Sequence, residues 1–158
     1  MKKVIFFTQN RWAFGNIHHA LCKELFKHNI YAQLLDWTVS YTHEEFQHII
    51  NSNDYIVTMP DAVYPLYMQY KVPPQKIIAV SHGWSELNIV VKHHDKNIFG
   101  AIHKYAVVCD WMRQKSHEYG IPRDPSVIRV GVHFDNYYAK PSEQLRVMGY
   151  GGAKDTIG

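Results

Sequence analysis

An open, doubly wound α/β sheet of parallel strands is the fold class this chain predicts, and three observations predict it. Short apolar, β-branched runs alternate with segments of helical period along the chain, as strands joined by crossover helices do. The stretch 104–134 holds one complete unit: a strand at 105–108, a helix capped by Asp110 and running to Tyr119, a stop at Gly120 and Pro122, and extended chain again at 127–130. A right-handed crossover is the usual way to join two parallel strands, so one such unit implies a sheet with helices packed on it. Third, Gly and Pro punctuate the runs at their boundaries, as Gly120 and Pro122 do here.

The elements follow in order. Residues 4–8 are a compact apolar run, and the polar-aromatic loop 9–14 leads through Gly15 to a helix over 17–26, where Ile17, Ala20, Leu21, Leu25 and Phe26 recur at helical spacing. A strand at 31–35 precedes a helix at 42–50, opened by Thr42 with Glu45 three residues later, the pattern of a capping box. Strand 55–58 ends at Met59-Pro60-Asp61, before a short helix over 63–70. Strand 76–80 ends at Ser81-His82-Gly83-Trp84. Residues 86–100 carry a weak helical pattern broken by the polar stretch 92–97, so a loop with a short helix is expected there. After the 105–130 unit, the polar segment 135–144, containing Pro141, reads as a linker, and 145–149 as one more strand opening into Tyr150-Gly151-Gly152. The expected organisation is one domain over 1–134, a linker over 135–144, and over 145–158 the beginning of a second domain or a closing strand.

Composition narrows the function classes. With 158 residues, 46% of them hydrophobic and 14% aromatic, the chain can bury a full single-domain core, which excludes a disordered polypeptide. Its 17 basic and 14 acidic side chains are dispersed, with no Lys/Arg run beyond Lys2-Lys3. That argues against a nucleic-acid surface while suiting small anionic ligands. The apolar run after Lys3 ends at Thr8-Gln9-Asn10, too short for a signal peptide, and no segment reaches the ~20 apolar residues that span a bilayer. A soluble, cytoplasmic protein with room only for peripheral membrane contact is expected, its Cys22 and Cys109 being free thiols. No metal site is expected: His18-His19 and His93-His94 are adjacent rather than four apart, and neither Cys-x-x-Cys nor His-Glu-x-x-His occurs. No Gly-x-Gly-x-x-Gly follows the first strand, which disfavours a dinucleotide-binding oxidoreductase, and the 149–152 tail lacks the Lys-Ser/Thr of a phosphate loop.

In doubly wound sheets, ligands bind beyond the carboxyl ends of the strands, where 10–15, 59–61, 81–84 and Cys109-Asp110 map. His82 is the leading candidate there. Gly15 would let the backbone approach a phosphate at the amino terminus of a helix beginning near Asn16, where unpaired N–H groups favour anions. Arg11 and Trp12 suit anionic and sugar groups, and Asp61, Tyr64, Trp84 and Glu86 suit a cleft for hydroxyl-bearing ligands. Taken singly, each of these also fits a surface or packing role. Cys109 has no base partner in the sequence pattern and reads as a small apolar thiol.

The strand order, the lone His82-Gly83 after the fourth strand, and the run of strand, Cys109, helix, Tyr119-Gly120-Ile121-Pro122, strand and Gly131-Val132-His133-Phe134 resemble the amino-terminal half of GT-B glycosyltransferases. The likeness is greatest to the large retaining, nucleotide-sugar-dependent family (family 4-like), and it extends over nearly the whole chain. It implies a Rossmann-like domain forming one half of a GT-B fold, on the acceptor side. The implied activity is transfer of a sugar from a nucleotide-sugar donor to an acceptor hydroxyl with retention, the donor phosphate helping to deprotonate that hydroxyl. By this resemblance His82 lies beside the transferred sugar, Gly15, Arg11 and Gly83 contact the donor diphosphate or sugar, and Trp12, Asp61, Tyr64, Trp84, Glu86 and Cys109 border the acceptor. No metal or other cofactor is implied, the nucleotide-sugar being a substrate. The partners implied are that donor, held mainly by a second domain, and a carbohydrate or other hydroxyl acceptor, with no nucleic acid. The chain departs from the family pattern in having Gly15 where the family carries two glycines, Cys109 where it carries a small hydroxyl residue, and Val130-Gly131-Val132-His133 where it carries Asn-Gly-Val-Asp. Without a donor-binding domain, this chain alone is expected to be inactive. The alternative is a stand-alone flavodoxin-like binding module without catalysis, distinguished by whether 145–149 pairs into the main sheet.

Overall fold

A computed structural model describes residues 1–10 and 12–129, without the side chains of residues 12–14. Among the described residues five α-helices alternate with six strands: β1 (Lys2–Thr8), α1 (Trp12–Lys27), β2 (Ile30–Asp36), α2 (His43–Ser52), β3 (Tyr55–Thr58), α3 (Pro60–Met68), β4 (Ile77–Ser81), α4 (Trp84–His93), β5 (Lys104–Val107), α5 (Asp110–Glu118) and β6 (Ser126–Val127). The strands form one all-parallel sheet in the order β2-β1-β3-β4-β5-β6. This is the doubly wound, Rossmann-like α/β architecture the sequence predicts.

Topology decides which face each helix covers. The chain steps outward from β1 to β2, then returns over β1 to β3 and continues in that direction. With right-handed crossovers, α1 must therefore lie on one face and α2 to α5 on the other. Alternation along β1 makes this visible. Ile5 and Phe7 join the buried cluster of Phe46 and Ile50 from α2, Val63 and Leu66 from α3, and Leu87 and Val90 from α4, whereas Phe6 stacks on His18 of α1 at 4.9 Å. The order reverses between β1 and β3, so the crevice between the helices that follow these two strands opens at their carboxyl ends.

Local chemistry explains the helix ends. The Thr42–Glu45 capping box forms as expected, with the Glu45 amide donating to Thr42 Oγ1 at 3.2 Å and the Thr42 amide donating to Glu45 Oε2 at 2.8 Å. α5 stops because Gly120 adopts φ 63°, where its N–H reaches His117 O and the next N–H reaches Ser116 O. The cap that opens α5 is Cys109 rather than Asp110, which is the first helical residue.

Four expected boundaries differ by more than two residues. α1 starts at Trp12, a full turn before Asn16, and α3 starts at Pro60 rather than 63, a proline tolerated at the first helical position because that N–H needs no intrahelical partner. Residues 86–100, expected to be mostly loop, instead form the ten-residue α4 and a 3-10 segment, Lys96–Gly100. Leu87 and Val90 are fully buried in α4, so tertiary packing supplies what the weak sequence period did not. The strand expected at 127–130 is β6, Ser126–Val127, which ends before Ile128. The linker at 135–144 and the strand at 145–149 lie outside the described residues. Among those described, no helix is long and apolar enough to cross a membrane, and both cysteines are free.

Candidate functional site

Three adjacent strands, β1, β3 and β4, end in hydroxyl residues: Thr8, Thr58 and Ser81, all buried. Each is tied down. Thr58 Oγ1 donates to Phe7 O at 2.8 Å, across the switch point from β3 to β1. Thr8 Oγ1 lies 3.1 Å from His18 Nδ1 and 3.2 Å from Gln9 O. Ser81 Oγ lies 3.1 Å from Gly83 O and 3.2 Å from Glu86 Oε2. These bonds fix the rim from which the next residues project.

His82 follows β4 directly. Its ring meets that of His18 edge to face, with centroids 6.1 Å apart, while His18 stacks on Phe6. Burial, then the neighbouring His82 and His19, push the His18 pKa down to about 4. Burial also lowers that of His82, partly offset by a backbone hydrogen bond at Val80. Both imidazoles are neutral at pH 7. Such rings stabilise developing charge as hydrogen-bonding dipoles rather than as cations.

The carboxylates behave in the opposite sense. Glu86 is 7% exposed, in the first turn of α4, and accepts from the His82 amide at 3.1 Å as well as from Ser81. Burial raises its pKa to about 7, with the charge of Asp61 adding to the effect. Asp61, the second residue of α3, is likewise raised by burial, and its Oδ1 is buried with no hydrogen-bond partner among the described residues. That Asp61 acts electrostatically on Glu86 ties the β3 and β4 ends into one polar unit.

Beside this unit an open cleft of about 300 Å³ is lined by Phe7, Trp37, Asp61, Ala62, Pro65, Gln69 and Tyr70. Of the candidate residues whose side chains the structure describes, Asp61 alone lines it. Trp37, Gln69 and Tyr70 read in the sequence as ordinary loop and helix-end residues. Only the return of the chain over β1 brings the end of β2 against the end of α3, so no local pattern could have found them.

The remaining candidates are dispersed. Tyr64 stacks on His94, the residue that caps the end of α4, at 5.2 Å, Trp84 is exposed at the start of α4, and Glu86 is buried against the His82 turn rather than lining the cleft. Cys109 is half-buried against the main core. Gly83 caps α4 in extended conformation, and a Cβ there would meet nothing closer than 3.7 Å. Arg11 and the Trp12 side chain lie outside the described residues. Gly15 has a steric role in the fold. It sits inside the first turn of α1, and a Cβ would overlap the Asn10 carbonyl, whose carbon would be 2.8 Å away. The glycine thus serves a close approach of the chain to itself. Gly15→Ala should lower stability by roughly 1–3 kcal/mol, the usual cost of overpacking; a urea midpoint equal to wild type would show that the chain at Asn10 yields freely.

Among the described residues no group of three or more His, Cys, Asp or Glu is placed to hold a metal ion. No family model, curated protein or solved structure matches the chain.

Proposed function

We propose that this chain is the amino-terminal, acceptor-side part of a cytoplasmic glycosyltransferase of GT-B type, moving a sugar from a nucleotide-sugar donor to an acceptor hydroxyl with retention. One observation carries the reading: His82, the histidine that the sequence resemblance puts beside the transferred sugar, stands half-buried just past the carboxyl end of β4, one strand beyond the switch point, its ring edge to face with His18. In this reading His82 orients the sugar and stabilises the charge that develops as the bond to phosphate breaks. It does not act as the base; the departing phosphate takes the acceptor proton. The cleft at Asp61, with the aromatic residues Trp37 and Tyr70 and the amide of Gln69, is the place for a hydroxyl-rich acceptor, whose donors a carboxylate oxygen accepts. The donor nucleotide is held mainly by a second domain.

The test is a transfer assay on a protein that carries both domains, with a panel of nucleotide-sugars and saccharide acceptors. Turnover should appear with one donor class and fall about a hundredfold in His82→Ala, the scale of losing one preorganised hydrogen-bonding group. Full activity in that variant removes His82 from the mechanism. Ligand binding in the cleft without turnover for any donor would favour the self-contained binding module.

A further inference from the structure

The turn that presents His82 is held chiefly by the Glu86 carboxylate, with the Ser81 hydroxyl bridging to it. Glu86 Oε2 takes both the Ser81 hydroxyl, at 3.2 Å, and the His82 amide, at 3.1 Å, while Ser81 Oγ also reaches Gly83 O. Glu86 lies three residues after the Gly83 cap of α4, so its reach backward follows the capping geometry, with one difference. A capping glutamate is ordinarily exposed, as Glu45 is in α2, whereas Glu86 is buried. A buried carboxylate holding several donors, the Gly83 backbone as well as Ser81 and His82, is a stronger and more exacting clamp than an exposed one, because its bonds are charge-assisted in a medium of low dielectric.

We propose that Glu86 is a positioning residue for His82, and that the turn carrying His82 is held tight when Glu86 is ionised and loosened when Glu86 takes up a proton. The groups facing the clamp are Asp61 from α3, Tyr105 from β5 and His82 on the turn itself. Asp61 opposes ionisation of Glu86 by its charge, and Tyr105 stays a neutral phenol, its hydroxyl 2.8 Å from Ser116 Oγ. Burial opposes ionisation as well, so the clamp switches near neutral pH, at about 7, instead of far below it. The amide bond then lies under the control of a proton that a solvent-exposed cap would have lost long before.

The clamp is independent of what His82 does; only its meaning for sugar transfer rests on the function proposed above. It is tested on the intact 158-residue chain by ¹⁵N and ¹³C NMR across the neutral range of pH. In wild type, the Glu86 side-chain carboxyl carbon and the residue-82 amide should titrate together, with a shared inflection near pH 7 and the amide moving downfield as pH rises. The amide inflection should persist in His82→Gln, which removes the imidazole, and vanish in Glu86→Gln, which cannot ionise. An inflection lost in His82→Gln, or retained in Glu86→Gln, would assign it elsewhere and overturn the clamp. The wild-type carbon titration needs no variant, so separate curves for carboxyl and amide sink the proposal even where a variant folds poorly. A clamp upheld by NMR alongside an absence of sugar transfer would reject the enzymatic reading and leave the clamp standing.

Discussion

Phe46→Ala is expected to destabilise the protein by about 3–5 kcal/mol, the range for truncating a fully buried aromatic ring. Phe46 is 0% exposed and sits at the hub of an aromatic cluster, its ring 5.3 Å from Phe7, 5.9 Å from Tyr41 and 4.1 Å from Tyr70. Rings packed this way lose specific edge and face contacts besides transfer free energy. Phe7 and Tyr70 also line the cleft, so the wall of the candidate acceptor site is built on this one side chain. For a chain of this length, the loss corresponds to roughly 10 °C in Tm. Calorimetry of the two proteins decides it, and a shift under about 3 °C would mean that Phe7 and Tyr70 close over the gap. Any ligand of the cleft should bind more weakly to Phe46→Ala even at temperatures where the variant is folded.

Acid should cost this protein about 3 kcal/mol through His18 alone. The native pKa near 4 lies below the ordinary 6.5, so the unfolded chain takes up a proton that the folded chain refuses. Stability from this histidine is therefore fully present above pH 6.5 and is lost as pH falls toward 4. Glu86 works in the reverse direction, since its native pKa near 7 exceeds the ordinary 4.5: its contribution is present below pH 4.5 and disappears as pH rises through 7. Across the window from 4.5 to 6.5 the two oppose each other, which flattens the wild-type profile. His18→Phe separates them. It keeps a ring against Phe6, leaves Thr8 Oγ1 its bond to Gln9 O, and removes the titration. Denaturant melts should show the variant gaining about 3 kcal/mol relative to wild type between neutral pH and about pH 4. A constant difference between the two proteins at both pH values would show that His18 titrates normally in the fold.

The two histidines illustrate how far local pattern reaches. His82 stands out because it follows a strand with a glycine behind it, and strand ends are where doubly wound sheets put their chemistry. His18 is legible only as one of an adjacent pair on a helix, too close in sequence to share a ligand. Its burial against Phe6 and its approach to His82 arise from α1 lying on the opposite face to α4, a consequence of strand order. Glu86 shows the same limit from the other side. An acidic residue near the end of a strand suits a solvent-facing cleft, yet the first turn of α4 draws it under the His82 turn, because a helix beginning at Trp84 aims its third residue back past the Gly83 cap to the His82 amide.

Strand period, turn residues and the Thr42 cap are properties of neighbours in the chain, and they determined the alternation of elements and the class of sheet from the sequence alone. Boundaries followed less closely, since α4 owes its length to Leu87 and Val90 being buried by other elements. Which side chains meet at the rim was decided by tertiary structure. The reversal between β1 and β3 joins Trp37, Asp61 and Tyr70 around one cleft and sets His18 against His82, over separations at which no periodicity survives and only the packing of the sheet and its two helical layers holds residues together.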